Sequence, residues 1–181
     1  MTQVAASIKE YLFDDLQRDE SVYAVLDGAS IPDLLDNLYA EDRPEFECLY
    51  RGELEPDIAE VAPYLVLLTP GSEFSRWLLL NGWGQHWGIF AIAAADFRIM
   101  CRHFRKFLTV HNPDGKPQLF RYYDPRVLRT YLPTCTAEEI AAVFGPISRY
   151  LLEDEDAKTV IRFRYESGNL EAAKLPLASS I

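Results

Sequence analysis

Three sets of residues in this 181-residue chain are of types that could do chemistry: His86 in a glycine and tryptophan loop, the pair Cys101 and His103, and a corner carrying Arg121, Arg126 and Arg129. His86 is the general-base candidate by location. A base needs a positioned nucleophile or an orienting carboxylate, and its sequence neighbours supply neither, so the fold would have to bring in Asp27 or Asp124. Cys101 and His103 are two residues apart, which splays them around a helix, and Cys48, Cys135 and His111 are scattered; no metal and no cofactor is expected. The chain has no GxSxG elbow, no HExxH and no P-loop lysine motif. The stretch Gly82-Trp83-Gly84-Gln85-His86-Trp87-Gly88 is in the wrong order for a phosphate cradle, which follows a strand and opens a helix. It reads as a helix-to-strand connection whose small residues let Trp83 and Trp87 pack closely.

The third set looks built to hold a partner. Leu119 to Leu128 reads as an aromatic strand running into a capped helix, with Asp124 accepting from free amides of the first turn and Pro125 at the first helical position. Arg121, Arg126 and Arg129 are expected close together at that corner. A helix opening at Asp96 adds a second basic group: Phe97, Met100, Cys101, Phe104 and Leu108 share one stripe, while Arg98, Arg102 and Arg105 share another beside Lys106. Such a stripe is either a solvated face or a dock for an acidic segment, whose carboxylates the arginine fork grips in bidentate fashion. The partner-binding set is therefore Arg102, Arg105, Lys106, Arg121, Tyr122, Arg126 and Arg129, with Trp83, Trp87, Asp124 and Pro125 in structural roles. Two rival readings are an enzyme using His86 with a carboxylate, and a nucleic-acid binder using the Arg-rich helix with Tyr122 and Tyr123 as stacking platforms.

The net charge of −10 disfavours nucleic acid and hides an asymmetry. Residues 1–60 carry 4 Lys/Arg against 16 Asp/Glu, whereas residues 96–131 carry 8 against 3, so the second segment can steer an acidic partner. Three cysteines without close spacing suit buried thiols in a reducing compartment, and a cytoplasmic location is expected. The N-terminus lacks the pattern of a secretory signal, and no apolar run reaches membrane-spanning length.

Helical periods fall over Val4–Leu16, Pro32–Tyr39, Pro56–Val61, Glu73–Leu80 and Ala137–Phe144. Strand patterns fall over 21–29, Phe46–Tyr50, Tyr64–Leu68, Trp87–Ala93 and Thr159–Tyr165, with a hairpin of Val110–His111 and Pro117–Tyr123 closed by Asn112-Pro113-Asp114-Gly115. This alternation predicts an α/β chain, with mixed α+β as the alternative: one compact domain with a central mixed sheet flanked by helices. Residues 1–150 would form the main body, and 151–181 a short C-terminal strand and tail packed on it.

Several segments together resemble a family. They are Tyr23-Ala24-Val25-Leu26-Asp27-Gly28-Ala29, Leu49-Tyr50, Ala62-Pro63-Tyr64-Leu65-Val66, the run from Trp77 to Gly88, Phe104-Arg105-Lys106-Phe107-Leu108, Phe120 to Leu128, Leu132-Pro133 and Phe144-Gly145-Pro146-Ile147. In this order, over about residues 21–150, the chain resembles the bacterial type VI secretion effector chaperones, or adaptors, a family long known as a domain of unknown function. The resemblance implies a non-enzymatic protein that holds a cognate toxic effector and helps load it onto the VgrG spike. It implies the effector and the spike as partners, and neither nucleic acid nor membrane.

Overall fold

Ser21–Asp27 forms strand β1, and every residue from Val22 to Asp27 is buried, because helices cover both faces of the sheet it threads. Alternate residues serve two cores. Val22, Ala24 and Leu26 pack with Ile8 and Leu12 of α1 (Gln3–Phe13), Leu34 and Leu38 of α2 (Leu34–Leu38), and Phe74 and Leu78 of α4 (Glu73–Asn81). Tyr23 and Val25 pack with Met100 and Phe104 of α5 (Phe97–Arg105), Leu128 of α6 (Pro125–Tyr131), and Ile140 and Phe144 of α7 (Ala137–Phe144). The molecule is thus three layers, helix on sheet on helix. The structure is a computed structural model and describes residues 2–112 and 114–178.

The remaining strands of the main sheet are β2 (Phe46–Cys48), β3 (Pro63–Leu68), β4 (Gly88–Ala93), β7 (Ile147–Glu153), β8 (Thr159–Glu166) and β9 (Asn169–Pro176). They lie in the order β2-β3-β1-β4-β7-β8-β9, and each neighbouring pair is antiparallel. The α+β alternative is therefore the one that forms. A separate hairpin pairs β5 (Thr109–His111) with β6 (Pro117–Leu119). Its expected second arm stops four residues early, since Tyr122 and Tyr123 form a turn in which the Asp124 N–H donates to the Arg121 carbonyl at 3.0 Å. Pro113, expected in the hairpin turn, lies outside the described residues.

Local sequence explains most helix limits. Thr2, Ser72, Asp96 and Thr136 each cap a helix by accepting from an amide three residues on, and Thr136 with Glu139 forms a reciprocal capping box. Helix α3 (Pro56–Val61) begins on a proline and lies at the surface. No described helix is long and apolar enough to cross a membrane.

Buried titratable groups set the response to acid. Glu20 is a side chain 7% exposed beside Arg149, and although burial pushes its carboxyl up, bonds from Ser148, Gln17 and Arg149 hold it below its ordinary value. His103 is 5% exposed, and burial lowers its imidazole pKa despite the 2.8 Å contact of Nε2 with the Val143 carbonyl. Below about pH 6.5 the unfolded chain takes a proton at His103 that the folded one refuses, and below about pH 4 it takes one at Glu20 as well. Stability should therefore fall in two steps from pH 7 to pH 3. The urea midpoint measured across that range checks this, and His103→Gln should flatten the upper step.

Candidate functional site

The sheet ends in charge where β1 and β7 stop on either side of the start of β4. Asp27 closes β1, 1% exposed, with its N–H on the Trp87 carbonyl at 2.9 Å. Its carboxylate accepts from Ser30 Oγ at 2.7 Å and Ala29 N–H at 3.3 Å, and it takes the guanidinium of Arg121 from the corner. Gly28 follows because nothing larger fits: a Cβ there would stand 2.5 Å from the carbonyl oxygens of both Ala62 and Glu60. Burial works against the Arg121 charge, yet Asp27 beside it raises its pKa above the ordinary value; its Nε is buried without a partner among the described residues.

Asp124 caps α6 as the sequence suggests, accepting from the Arg126 N–H at 2.9 Å. The same carboxylate receives Arg126 Nε at 3.0 Å and Nη2 at 2.7 Å. Burial raises the Asp124 carboxyl, but these bonds prevail and leave it below its ordinary value. Arg129 reaches Glu155 at 3.5 Å. The three corner arginines thus each face an acidic side chain of their own chain: Asp27, Asp124 and Glu155. Arg126 keeps the most freedom, its side chain 53% exposed.

His86 meets neither Asp27 nor Asp124. Its Nδ1 and its main-chain N–H both go to Glu153, at the end of β7, whose carboxylate also takes the Gly84 N–H. Glu153 is 3% exposed, so a buried carboxylate ties the loop to the sheet and holds His86 at a left-handed φ of 60°. The small residues of the loop do let tryptophan in closely, since a Cβ at Gly82 would stand 2.8 Å from the Trp87 ring, and the two tryptophans pack on the same core with different partners. Trp87 lies against Trp77 with ring centroids 5.3 Å apart, and the Trp83 indole N–H donates to the Ala157 carbonyl at 2.8 Å. Gly88 opens β4 where a Cβ would stand 2.2 Å from the Val25 carbonyl oxygen.

Tyr122 and Tyr123 are core residues, 4% and 1% exposed. The Tyr122 hydroxyl donates to the Phe104 carbonyl at 2.9 Å and its ring stacks on Phe104 at 5.9 Å, which joins corner to helix α5 and leaves no face for a base or a partner. Both tyrosines are thus removed from the surface roles expected for them. On α5 the stripe divides as well. Arg98, Arg102 and Lys106 are exposed and form no ion pair among the described residues. Arg105 instead crosses to β2, where its Nη2 donates to Glu47 at 2.9 Å and to the Cys48 carbonyl at 2.7 Å, and its Nε to the Leu49 carbonyl at 3.2 Å. Cys101 and His103 point into the core, the thiol pushed by burial up to about 11.

Fold and site together define a three-layer α+β domain with an ion-paired corner locked at one end of its sheet and a free basic stripe on one outer helix. The chain belongs to the family described as Domain of unknown function (DUF4123), matched over residues 22–142. That family is associated with adaptor function for type VI secretion effectors. A glycine–tRNA ligase of Acetivibrio thermocellus is 28% identical over 113 residues, which cover 59% of this chain. The match spans only 22% of the ligase. No solved structure matches the chain.

Proposed function

We propose that this protein is a non-enzymatic adaptor that binds a cognate type VI secretion effector in the bacterial cytoplasm and helps load it onto the VgrG spike. The observation that carries this reading is family membership over residues 22–142, which takes in β1, the glycine and tryptophan loop, α5 and the arginine corner. Asp27 and Asp124 are each engaged by an arginine of the same chain, which supports a holding role for the corner. Co-expression with candidate effectors and a VgrG spike protein of the same bacterium tests the proposal. The adaptor should co-purify with one or both, and absence of both from the purified material would overturn it.

The exposed stripe supplies long-range attraction for an acidic partner. Replacing Arg98 and Arg102 by Glu should slow association by about tenfold at low ionic strength and flatten its salt dependence, with little change in dissociation. Stopped-flow association at two salt concentrations measures both effects. Arg105 is a poor choice for this experiment, because reversing it would also break its bonds to β2.

A further inference from the structure

The open rim of the sheet at β2 carries hydrogen-bonding capacity that the fold does not use. Leu49 N–H donates to the Pro63 carbonyl at 2.9 Å and Leu67 N–H to the Glu45 carbonyl at 2.8 Å, so the odd-numbered residues of β2 face β3. In an antiparallel ladder the residues between them face outward. Phe46 N–H, Phe46 C=O and Cys48 N–H therefore point off the edge of the seven-stranded sheet, with no partner among the described residues. The Cys48 carbonyl alone is occupied, by Arg105 at 2.7 Å.

Beside this edge runs a groove of about 820 Å³ with an apolar wall of Tyr39, Phe46, Leu54 and Tyr64. Tyr39 is 65% exposed and stands edge-on to Phe46 at 5.0 Å, a large ring held in place with nothing covering it. The charges are sorted. Residues 41–60 contain eight Asp/Glu and two Lys/Arg, yet both cations, Arg43 and Arg51, line the groove, whereas of the eight acids only Glu45 and Glu47 do. Glu47 is neutralised by Arg105. A segment that is acidic overall thus turns its two arginines towards an unpaired strand edge.

We propose that the groove receives an extended acidic segment of the partner protein, which adds an eighth strand along β2 and sets its carboxylates against Arg43 and Arg51. Main-chain pairing would hold the segment, the aromatic wall would take its alternate side chains, and the arginine forks would select its charge. The inference rests on the adaptor reading for its premise that the partner is a polypeptide. The Arg98 and Arg102 stripe attracts the same sign of charge, so encounter and docking agree.

The test uses two labelled peptides, one alternating valine with glutamate and one alternating valine with lysine, titrated into the full chain by fluorescence anisotropy. The glutamate peptide should bind at least about tenfold tighter and should protect the Phe46 and Cys48 amides from hydrogen exchange. Cys48→Pro deletes an outward donor without touching a ladder bond, as edge strands tolerate, and should weaken binding about tenfold. Arg43→Glu with Arg51→Glu alters only exposed side chains and should reverse the preference between peptides, which keeps the test decisive if Cys48→Pro does not fold. Equal binding of the two peptides, or unchanged affinity in a folded Cys48→Pro protein, overturns the proposal. Self-association of the chain that the glutamate peptide competes away would assign the groove to a second copy and overturn the partner assignment. Effector co-purification that survives both variants sinks the groove and leaves the adaptor standing; peptide binding with the expected variant effects but no effector or spike in the co-purification does the reverse.

Discussion

Arg149→Met should lower folding stability by about 3 kcal/mol, measured as a shift of the urea midpoint at pH 7. Arg149 and Glu20 are 8% and 7% exposed at the side chain, and Arg149 Nη1 lies 3.0 and 2.9 Å from the two carboxylate oxygens of Glu20. Its Nη2 also donates to the Asp15 carbonyl at 3.1 Å, so one guanidinium closes the turn between α1 and β1 onto the middle of β7. Methionine fills much of the space but leaves a buried carboxylate with Ser148 Oγ and the Gln17 N–H as its remaining partners. Breaking one side of a dry ion pair costs more than the pair was worth, because the abandoned charge keeps its desolvation penalty. Glu20→Gln added to Arg149→Met should therefore recover a substantial part of the loss. A single-variant loss under about 1 kcal/mol would mean that Glu20 regains water, and that the turn is looser than its contacts imply.

Gly28→Ala should cost about 3 kcal/mol, at the upper end of ordinary overpacking. The backbone at Gly28 suits any residue, so the cost is one of space. Its Cβ would meet two main-chain carbonyl oxygens at 2.5 Å, and neither can rotate aside as a side chain would. Relief requires moving the Glu60 to Ala62 segment away from β1, which breaks the 3.0 Å bond from Gly28 N–H to the Ala62 carbonyl. Gly71→Ala is the matched control. Gly71 has a φ of +82° and open space around its Cβ position, so its replacement should cost about 1 kcal/mol for the left-handed backbone alone. Equal losses at the two positions would show that the Asp27–Gly28 turn yields more easily than its contacts suggest.

Local signals carried much of the fold. Asp96 and Asp124–Pro125 announced two helices by the residues that open them, and the apolar runs within Tyr64–Leu68 and Trp87–Ala93 announced strands. Strand β7 was missed because it carries Arg149 and Glu153 among its buried residues, and their partners Glu20 and His86 lie far away in sequence. Charges satisfied at long range look, from the sequence, like charges that need water. Strand β9 was missed because Asn169–Pro176 is an edge of low strand propensity, although Ser167-Gly168, both at positive φ, gave a usable hairpin signal. At the site, the acidic cap at Asp124 was legible. What was not legible is that Arg121 and Arg129 also face acids of their own chain, since Asp27 and Arg121 are 94 residues apart and meet only once the sheet exists.

Because the odd and even side chains of β1 belong to opposite helical layers, loss of either layer would strip one face of the strand. The strand is bonded on both sides, with Ala24 opposite Val66 on one flank and Phe90 on the other. Its amides should surrender deuterium only when the entire molecule opens, at the free energy of global unfolding. A load bound at the β2 rim would thus be held by an all-or-none scaffold, and pulling on the load would strain the domain as one body instead of peeling a layer from it.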